Sequence, residues 1–181
     1  VLGDDHTIYV DANNGYYAKQ AIRVAEPLKD LGVAWFEEPV LADDIPGLAQ
    51  VAGGTTIDVA TGEHEYTKYG FRDLIAAGAA DILQPDIGRV GGVTEWMKVA
   101  HLAAAHNLPV APHAYSLLHL HPAMATPNIM VVEVLGIERD PFAKYLVDPP
   151  APVNGSWKPD PDKPGNGIEL NPHAVEKYRL D

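Results

Sequence analysis

The sequence predicts an α/β fold built on a parallel sheet, and two observations predict it. First, a short apolar run ends in an acid or a histidine six times over. The runs are Thr7-Ile8-Tyr9-Val10 before Asp11, Val33-Ala34-Trp35-Phe36 before Glu37, and Val59-Ala60-Thr61-Gly62 before Glu63. They continue with Ile82-Leu83-Gln84-Pro85 before Asp86, Val110-Ala111-Pro112 before His113, and Ile129-Met130-Val131-Val132 before Glu133. Second, these six polar residues follow one another at spacings of 26, 26, 23, 27 and 20 residues, which suits one strand, one helix and two short loops. A strand followed by a crossover helix places the next strand parallel to the first. All six polar residues therefore fall at the same C-terminal sheet edge, where barrels of alternating strands and helices build their active sites.

The segments between the runs read as the crossovers. Residues 16–31 carry Ala21, Val24, Ala25, Leu28 and Leu31 at helical spacing, stopped by Gly32, and Pro27 predicts a bend or a split in that helix. Residues 43–52 read as a short helix. Thr67 reads as the N-cap of a helix carrying Phe71, Leu74 and Ile75 and ending near Gly78. Gly91-Gly92 opens another, with Trp96, Val99, Ala100 and Ala103 on one face, and residues 117–125 are helix-like. From Asp148 to Pro164 the chain is proline-rich and loop-like, before a last short helix within Asn171–Arg179. The expected organisation is a strand–helix part over residues 1–140 and a loop-rich segment over 141–181 that closes or packs on it. Six strands are counted where a closed barrel takes eight. The expectation is an incomplete (β/α) barrel, two strands short at its N-terminal side, completed by another chain or a longer native protein unless the sheet is open.

Composition narrows the class. A hydrophobic content of 46% and a charged content of 21% suit a globular domain, and the absence of cysteine excludes disulfides and thiolate metal sites. The formal charge of −12 argues against nucleic acid and anionic membrane as partners. No apolar run approaches the roughly 20 residues that span a bilayer. The first residues lack the pattern of a secretion signal, so a cytoplasmic protein is expected and Asn154-Gly155-Ser156 reads as a turn. An anionic substrate would be at odds with this charge unless a bound cation resolved it locally.

The strand ends supply such a cation site. Asp11, Glu37 and Glu63 on neighbouring strands can converge on one hard ion, and three unneutralised carboxylates would repel. Any one of them alone would equally cap a helix or meet solvent; it is the three in register that suggest Mg²⁺. Asp86, on the strand next to His113, can hydrogen-bond one imidazole nitrogen, fix its tautomer and make the other more basic. Glu133 faces the same mouth, either to donate to a developing oxyanion when protonated or to hold a neighbour. Gly88-Arg89-Val90-Gly91-Gly92 allows an anion on backbone amides or simply a tight turn. His64 is a weaker candidate for touching substrate, His119 and His121 read as supporting or structural, and Glu38 is expected to point away from Glu37 as a support.

Taken together, Asp11-Ala12-Asn13, Trp35-Phe36-Glu37-Glu38-Pro39, Ala60-Thr61-Gly62-Glu63, Gln84-Pro85-Asp86 with Gly91-Gly92, Pro112-His113 and the late Pro164-Gly165-Asn166-Gly167-Ile168-Glu169 resemble the enolase superfamily, mandelate racemase subgroup. The resemblance covers about residues 5–170 and implies a barrel of the modified TIM type. It also implies Mg²⁺ on Asp11, Glu37 and Glu63, a His113–Asp86 acid/base pair, Glu133 near the substrate carboxylate, and Asn13 against substrate or a metal-bound water. The implied chemistry is removal of a proton next to a carboxylate through an enediolate. No lysine stands in Ile82–Asp86, unlike the muconate-cycloisomerase-like branch, and the wording is most similar to dehydratases of galactarate, talarate and galactonate. A 2-hydroxy-acid racemase or epimerase is the alternative, and a catalytically incomplete metal-binding fragment a third reading. The family's N-terminal cap and second-strand lysine pair have no counterpart in these residues, and by resemblance a homo-oligomer is expected.

Overall fold

The computed structural model describes residues 3, 6–135, 143–148 and 151–180. Strand β1 (Ile8–Asp11) leads into helix α1 (Ala18–Asp30), and the alternation continues through β2 (Val33–Glu37), α2 (Ile45–Ala52), β3 (Asp58–Thr61), α3 (Thr67–Ala77) and β4 (Ile82–Leu83). Helices α4 (Ile87–Val90), α5 (Gly92–Ala105) and α6 (Ser116–Met124) follow. The four strands lie side by side in chain order, every pair parallel, with Asp11 in register with Glu37. Two single-residue parallel pairings, Leu83 with Val110 and Val110 with Ile129, extend the array to six positions. The last two expected strands are thus reduced to one paired residue each. Pro109 and Pro112 bracket Val110-Ala111 and have no N–H to donate to a longer ladder.

Successive strand residues point to opposite faces, and the core divides accordingly. Phe36, Val59, Leu83 and Val110 join the large apolar cluster that also takes Ala21, Leu48, Phe71, Leu74, Trp96 and Val99 from the helices. Their immediate neighbours Trp35, Ala60, Ile82 and Ala111 form a second, smaller cluster on the other face, with Val131 against it. Tyr9 stacks on Trp35 at a centroid separation of 3.8 Å. Burial on both faces is why these strands read as continuous apolar runs rather than as alternating ones.

Two local expectations are corrected. Helix α1 is not split: it runs unbroken for 13 residues with Pro27 inside it. Pro27 and Arg23 both lie on the exposed side, so the carbonyl that Pro27 leaves unbonded meets water. Thr67 is not an N-cap: that position is Tyr66, with no side-chain cap. Thr67 Oγ1 accepts only Tyr69 N–H, at 3.4 Å, while the N–H of Lys68 is taken by Glu95 of α5 at 3.2 Å, alongside a 3.0 Å ion pair from Lys68 Nζ. Asp44 and Asn171 do cap helices, α2 and the terminal α7 (Pro172–Lys177). In the late segment Leu146 pairs antiparallel with Leu170, and Val153 pairs with Ser156 across Asn154 and Gly155, both at positive φ, as a tight turn. Among the described residues no helix is long and apolar enough to cross a membrane.

Candidate active site

The C-terminal edge gathers the polar residues as the spacing requires. Each is placed by the ladder beneath it: Ala12 N–H donates to Glu37 O at 3.0 Å, Glu38 N–H to Ala60 O at 3.0 Å, Gln84 N–H to Thr61 O at 2.9 Å and Ala111 N–H to Leu83 O at 2.9 Å. Gly62 precedes Glu63 at φ +136°, and a Cβ there would lie 2.6 Å from Phe71 Cε1 and 3.1 Å from Gln84 N. Only glycine lets the chain pass between those groups and deliver Glu63 to the rim.

Asp86 and His113 form the pair predicted. Nδ1 of His113 lies 2.8 Å from Asp86 Oδ2. Asp86 is fully buried, and its other oxygen caps α4 by accepting Gly88 N–H at 2.6 Å and Arg89 N–H at 3.3 Å. Those amides are therefore occupied: Gly88–Val90 belong to α4, and only Gly91 and Gly92, at positive φ, turn the chain into α5. Burial acts to raise the Asp86 pKa, but the hydrogen bonds from His113 and Gly88, with the charges of His113 and Arg89, hold it below the ordinary carboxylate range. Burial likewise pulls on His113 from below, and its bond to Asp86 with the charges of Glu63, Glu133 and Asp86 raises it above the usual imidazole value. The outer nitrogen, Nε2, lies 3.4 Å from Glu63 Oε2.

The acids form one continuous patch. Burial and then the charges of Asp11, Glu133 and Glu63, against a hydrogen bond from Gln84, push the Glu37 carboxyl up to about 7. Glu38 reaches about 7 as well, through burial and the charge of Glu63, opposed by a hydrogen bond from Asn14. Glu38 is 1% exposed, and its Oε1 makes no hydrogen bond. Rather than pointing away as a support, it stands beside Glu63. His64 Nε2 lies 3.6 Å from both Glu38 Oε2 and Glu63 Oε1. Among the described residues, Glu38, Glu63 and His64 are the group whose ligand atoms all lie within 4.8 Å of one another. Asp11 and Glu37 sit on adjacent strands in register but outside that group. Two carboxyls raised first by burial and then by neighbouring charge, together with the unpartnered Glu38 Oε1, fit a hard divalent cation, and the oxygen donors suit Mg²⁺ better than a set relying on the imidazole.

Other residues take supporting places. Asn13, at φ +45°, donates its backbone N–H to Asp11 Oδ1 at 2.7 Å and its Nδ2 to Oδ2 at 3.2 Å, orienting that acid. Glu133 Oε2 accepts Ala114 N–H at 2.6 Å, so it holds the residue after His113. Arg89 was visible in the sequence only as part of a glycine-rich run. Its guanidinium donates to Glu63 O at 3.0 Å and Oε1 at 3.3 Å and lies 3.8 Å from Asp86, tying the third and fourth strand ends together. Its place three residues after Asp86 was the available signal. A cavity of about 410 Å³ opens beside His113, walled by Arg89, Leu117, Leu135, Leu146, Ile168 and Leu170 and largely apolar.

A family model described as enolase C-terminal domain-like matches residues 1–174. The chain belongs to the enolase superfamily. It is similar to a D-galactarolactone cycloisomerase of Agrobacterium fabrum, 33% identical over 99% of this chain and 50% of the relative. It is similar too to an L-rhamnonate dehydratase of Saccharopolyspora erythraea, 34% identical over 99% of this chain and 48% of the relative. The crystal structure of an enolase from Bradyrhizobium complexed with magnesium and mandelic acid superposes with a TM-score of 0.92 at 32% identity, over 99% of this chain and 48% of that one. The chain spans about half the length of these relatives, as a C-terminal part of an enolase-superfamily barrel with six successive parallel positions.

Proposed function

We propose that this chain carries the catalytic edge of a Mg²⁺-dependent acid-sugar dehydratase, with His113 and Asp86 as its acid/base pair and Asp11, Glu37 and Glu63 as the metal ligands. The observation that carries the reading is the His113 imidazole, held through Nδ1 by Asp86 and presenting Nε2 beside the acidic row. When bound, Mg²⁺ supplies positive charge against which a substrate carboxylate can lie and accumulate further negative charge. His113 takes the proton from the carbon next to that carboxylate, or gives one to the departing hydroxyl. Asp86 holds the tautomer and favours the charged ring. The substrate loses its α-proton and β-hydroxyl as one water, and the resulting enol becomes a 2-keto-3-deoxy acid. Arg89 keeps Glu63 in place throughout, and the similarity to an L-rhamnonate dehydratase supports the reaction class.

A second reading is favoured by one observation. The cavity beside His113 is largely apolar, which suits a 2-hydroxy acid with an apolar substituent and a racemase or epimerase that moves the α-proton without losing water. The similarity to a structure holding mandelic acid points the same way. Incubating the full-length protein and Mg²⁺ with a panel of aldonic, aldaric and 2-hydroxy acids separates the two. Keto-acid formation supports the dehydratase, α-hydrogen exchange without it supports the racemase, and neither with any acid refutes both.

A further inference from the structure

His119 is a histidine that the proposed chemistry does not use. Its ring is 0% exposed and lies against Trp96, with ring centroids 5.9 Å apart. The backbone N–H of Ile87 donates to its Nε2 at 2.9 Å. That nitrogen must therefore carry a lone pair. The ring's proton is then on Nδ1, which donates to Ala114 O at 2.8 Å. Burial, partly offset by the bond to Ala114, holds the pKa down to about 4, so the ring is a neutral two-sided connector.

The two peptides it joins are not arbitrary. Ile87 directly follows Asp86 and Ala114 directly follows His113. The peptide on the other side of Asp86 is held as well, because Trp96 Nε1 donates to Pro85 O at 3.1 Å. Ala114 is gripped at both ends, by Glu133 at its N–H and by His119 at its carbonyl. Ala114 and Tyr115 have φ of +45° and +35°, a left-handed conformation that residues other than glycine keep only where the surroundings enforce it. Asp86 and His113 sit on different crossover units, so their separation depends on how those two loops are joined.

We infer that His119 is a positioning residue that fixes the distance between Asp86 and His113, bridging the peptide that follows each. The inference rests on the reading of those two as the acid/base pair. In the proposed catalytic cycle His119 neither meets substrate nor exchanges a proton.

The test uses the full-length protein with His119→Phe, which fills the space and removes both bonds, and His119→Gln, whose Oε1 can still accept from Ile87. Proton NMR reads the far-downfield signal of the His113 Nδ1–H held by Asp86, which requires no turnover. Kinetics and calorimetry read kcat, KM and Mg²⁺ affinity. The expected result for His119→Phe is loss of the downfield signal and a fall in kcat of about 10- to 100-fold. KM and Mg²⁺ affinity should hold. His119→Gln should recover part of both signal and kcat. Should His119→Phe fail to fold, His119→Gln and His119→Asn, each retaining one of the two bonds, carry the test: a weakened signal in both supports the inference. Variants that melt at lower temperature yet keep the wild-type signal and kcat would make His119 an ordinary core residue and overturn it. If the wild type turns over no acid at all, the dehydratase reading fails while the NMR comparison still decides the role of His119.

Discussion

Asp86 divides its two carboxylate oxygens between two tasks, and the division couples helix α4 to His113. Oδ1 closes the first turn of α4 through Gly88 and Arg89, while Oδ2 stands 2.8 Å from the imidazole. A carboxylate pinned by its own helix cannot rotate away from the histidine, so the tautomer of His113 is set by backbone geometry. Asp86→Asn should lower the His113 pKa and reduce turnover about 10²–10⁴-fold, with little change in Mg²⁺ affinity, as kinetics and calorimetry on the full-length protein would read.

Glu63→Gln should behave differently in kind. It removes one charge from the acidic row and loosens Arg89, so weakened Mg²⁺ binding should accompany the loss of rate. Calorimetric titration of both variants separates an acid/base role from a metal role on one sheet edge. Arg89→Met should act like a milder Glu63→Gln, since it frees Glu63 without removing its charge.

The acidic row also predicts a pH dependence of stability in the absence of metal. Glu37 and Glu38 have folded-state values of about 7 against 4.5 for a free glutamate. The folded protein therefore binds more protons than the unfolded chain between those two values, and stability falls as pH rises from about 4.5 to 7. His113, raised in the fold, adds in the same sense: its contribution is present below the ordinary imidazole value and lost above its folded one. Thermal melts in a chelator should show a falling Tm across that window, and Mg²⁺ should restore most of the loss at pH 7.5. A metal-free Tm that rises across it would contradict the proposed carboxylate cluster.

Gly62→Ala should destabilise the protein by about 2 kcal/mol or more, from a left-handed φ combined with a Cβ driven into Phe71 and the Gln84 amide. Gly78→Ala, also at positive φ but with open space around the added carbon, should cost less. Chemical denaturation of the two variants gives the comparison. A Gly62→Ala no worse than Gly78→Ala would mean that the Glu63 loop relaxes freely.

The parallel order and the shared edge were legible in the sequence because burial on both faces writes each strand as an apolar run of fixed spacing. Asp86, His113 and Glu63 were legible because each ends such a run. The fifth strand shrank to a single pairing because Pro109 and Pro112, which bracket it, have no N–H to donate to a longer ladder. Residues acting across the fold were less visible. Nothing near Thr67 in the sequence announces that Glu95, 27 residues beyond Lys68, serves the first turn of α3. His119 lay among apolar residues where a core histidine is the ordinary reading, and only the loops it joins distinguish it. Glu38 follows Glu37 and was expected to face away, but its φ of +36° breaks the strand alternation and turns it toward Glu63.

The central claim is that His113, held by Asp86, moves the proton next to a carboxylate bound at the acidic row. Its most direct test is α-hydrogen exchange into D₂O, followed by proton NMR, for the full-length protein with sugar acids and 2-hydroxy acids. The expected result is exchange that requires Mg²⁺, is lost in Asp86→Asn while Mg²⁺ affinity holds, and is lost in Glu63→Gln together with Mg²⁺ affinity. Exchange that persists in His113→Ala, or an Asp86→Asn that loses metal as badly as Glu63→Gln, would contradict it.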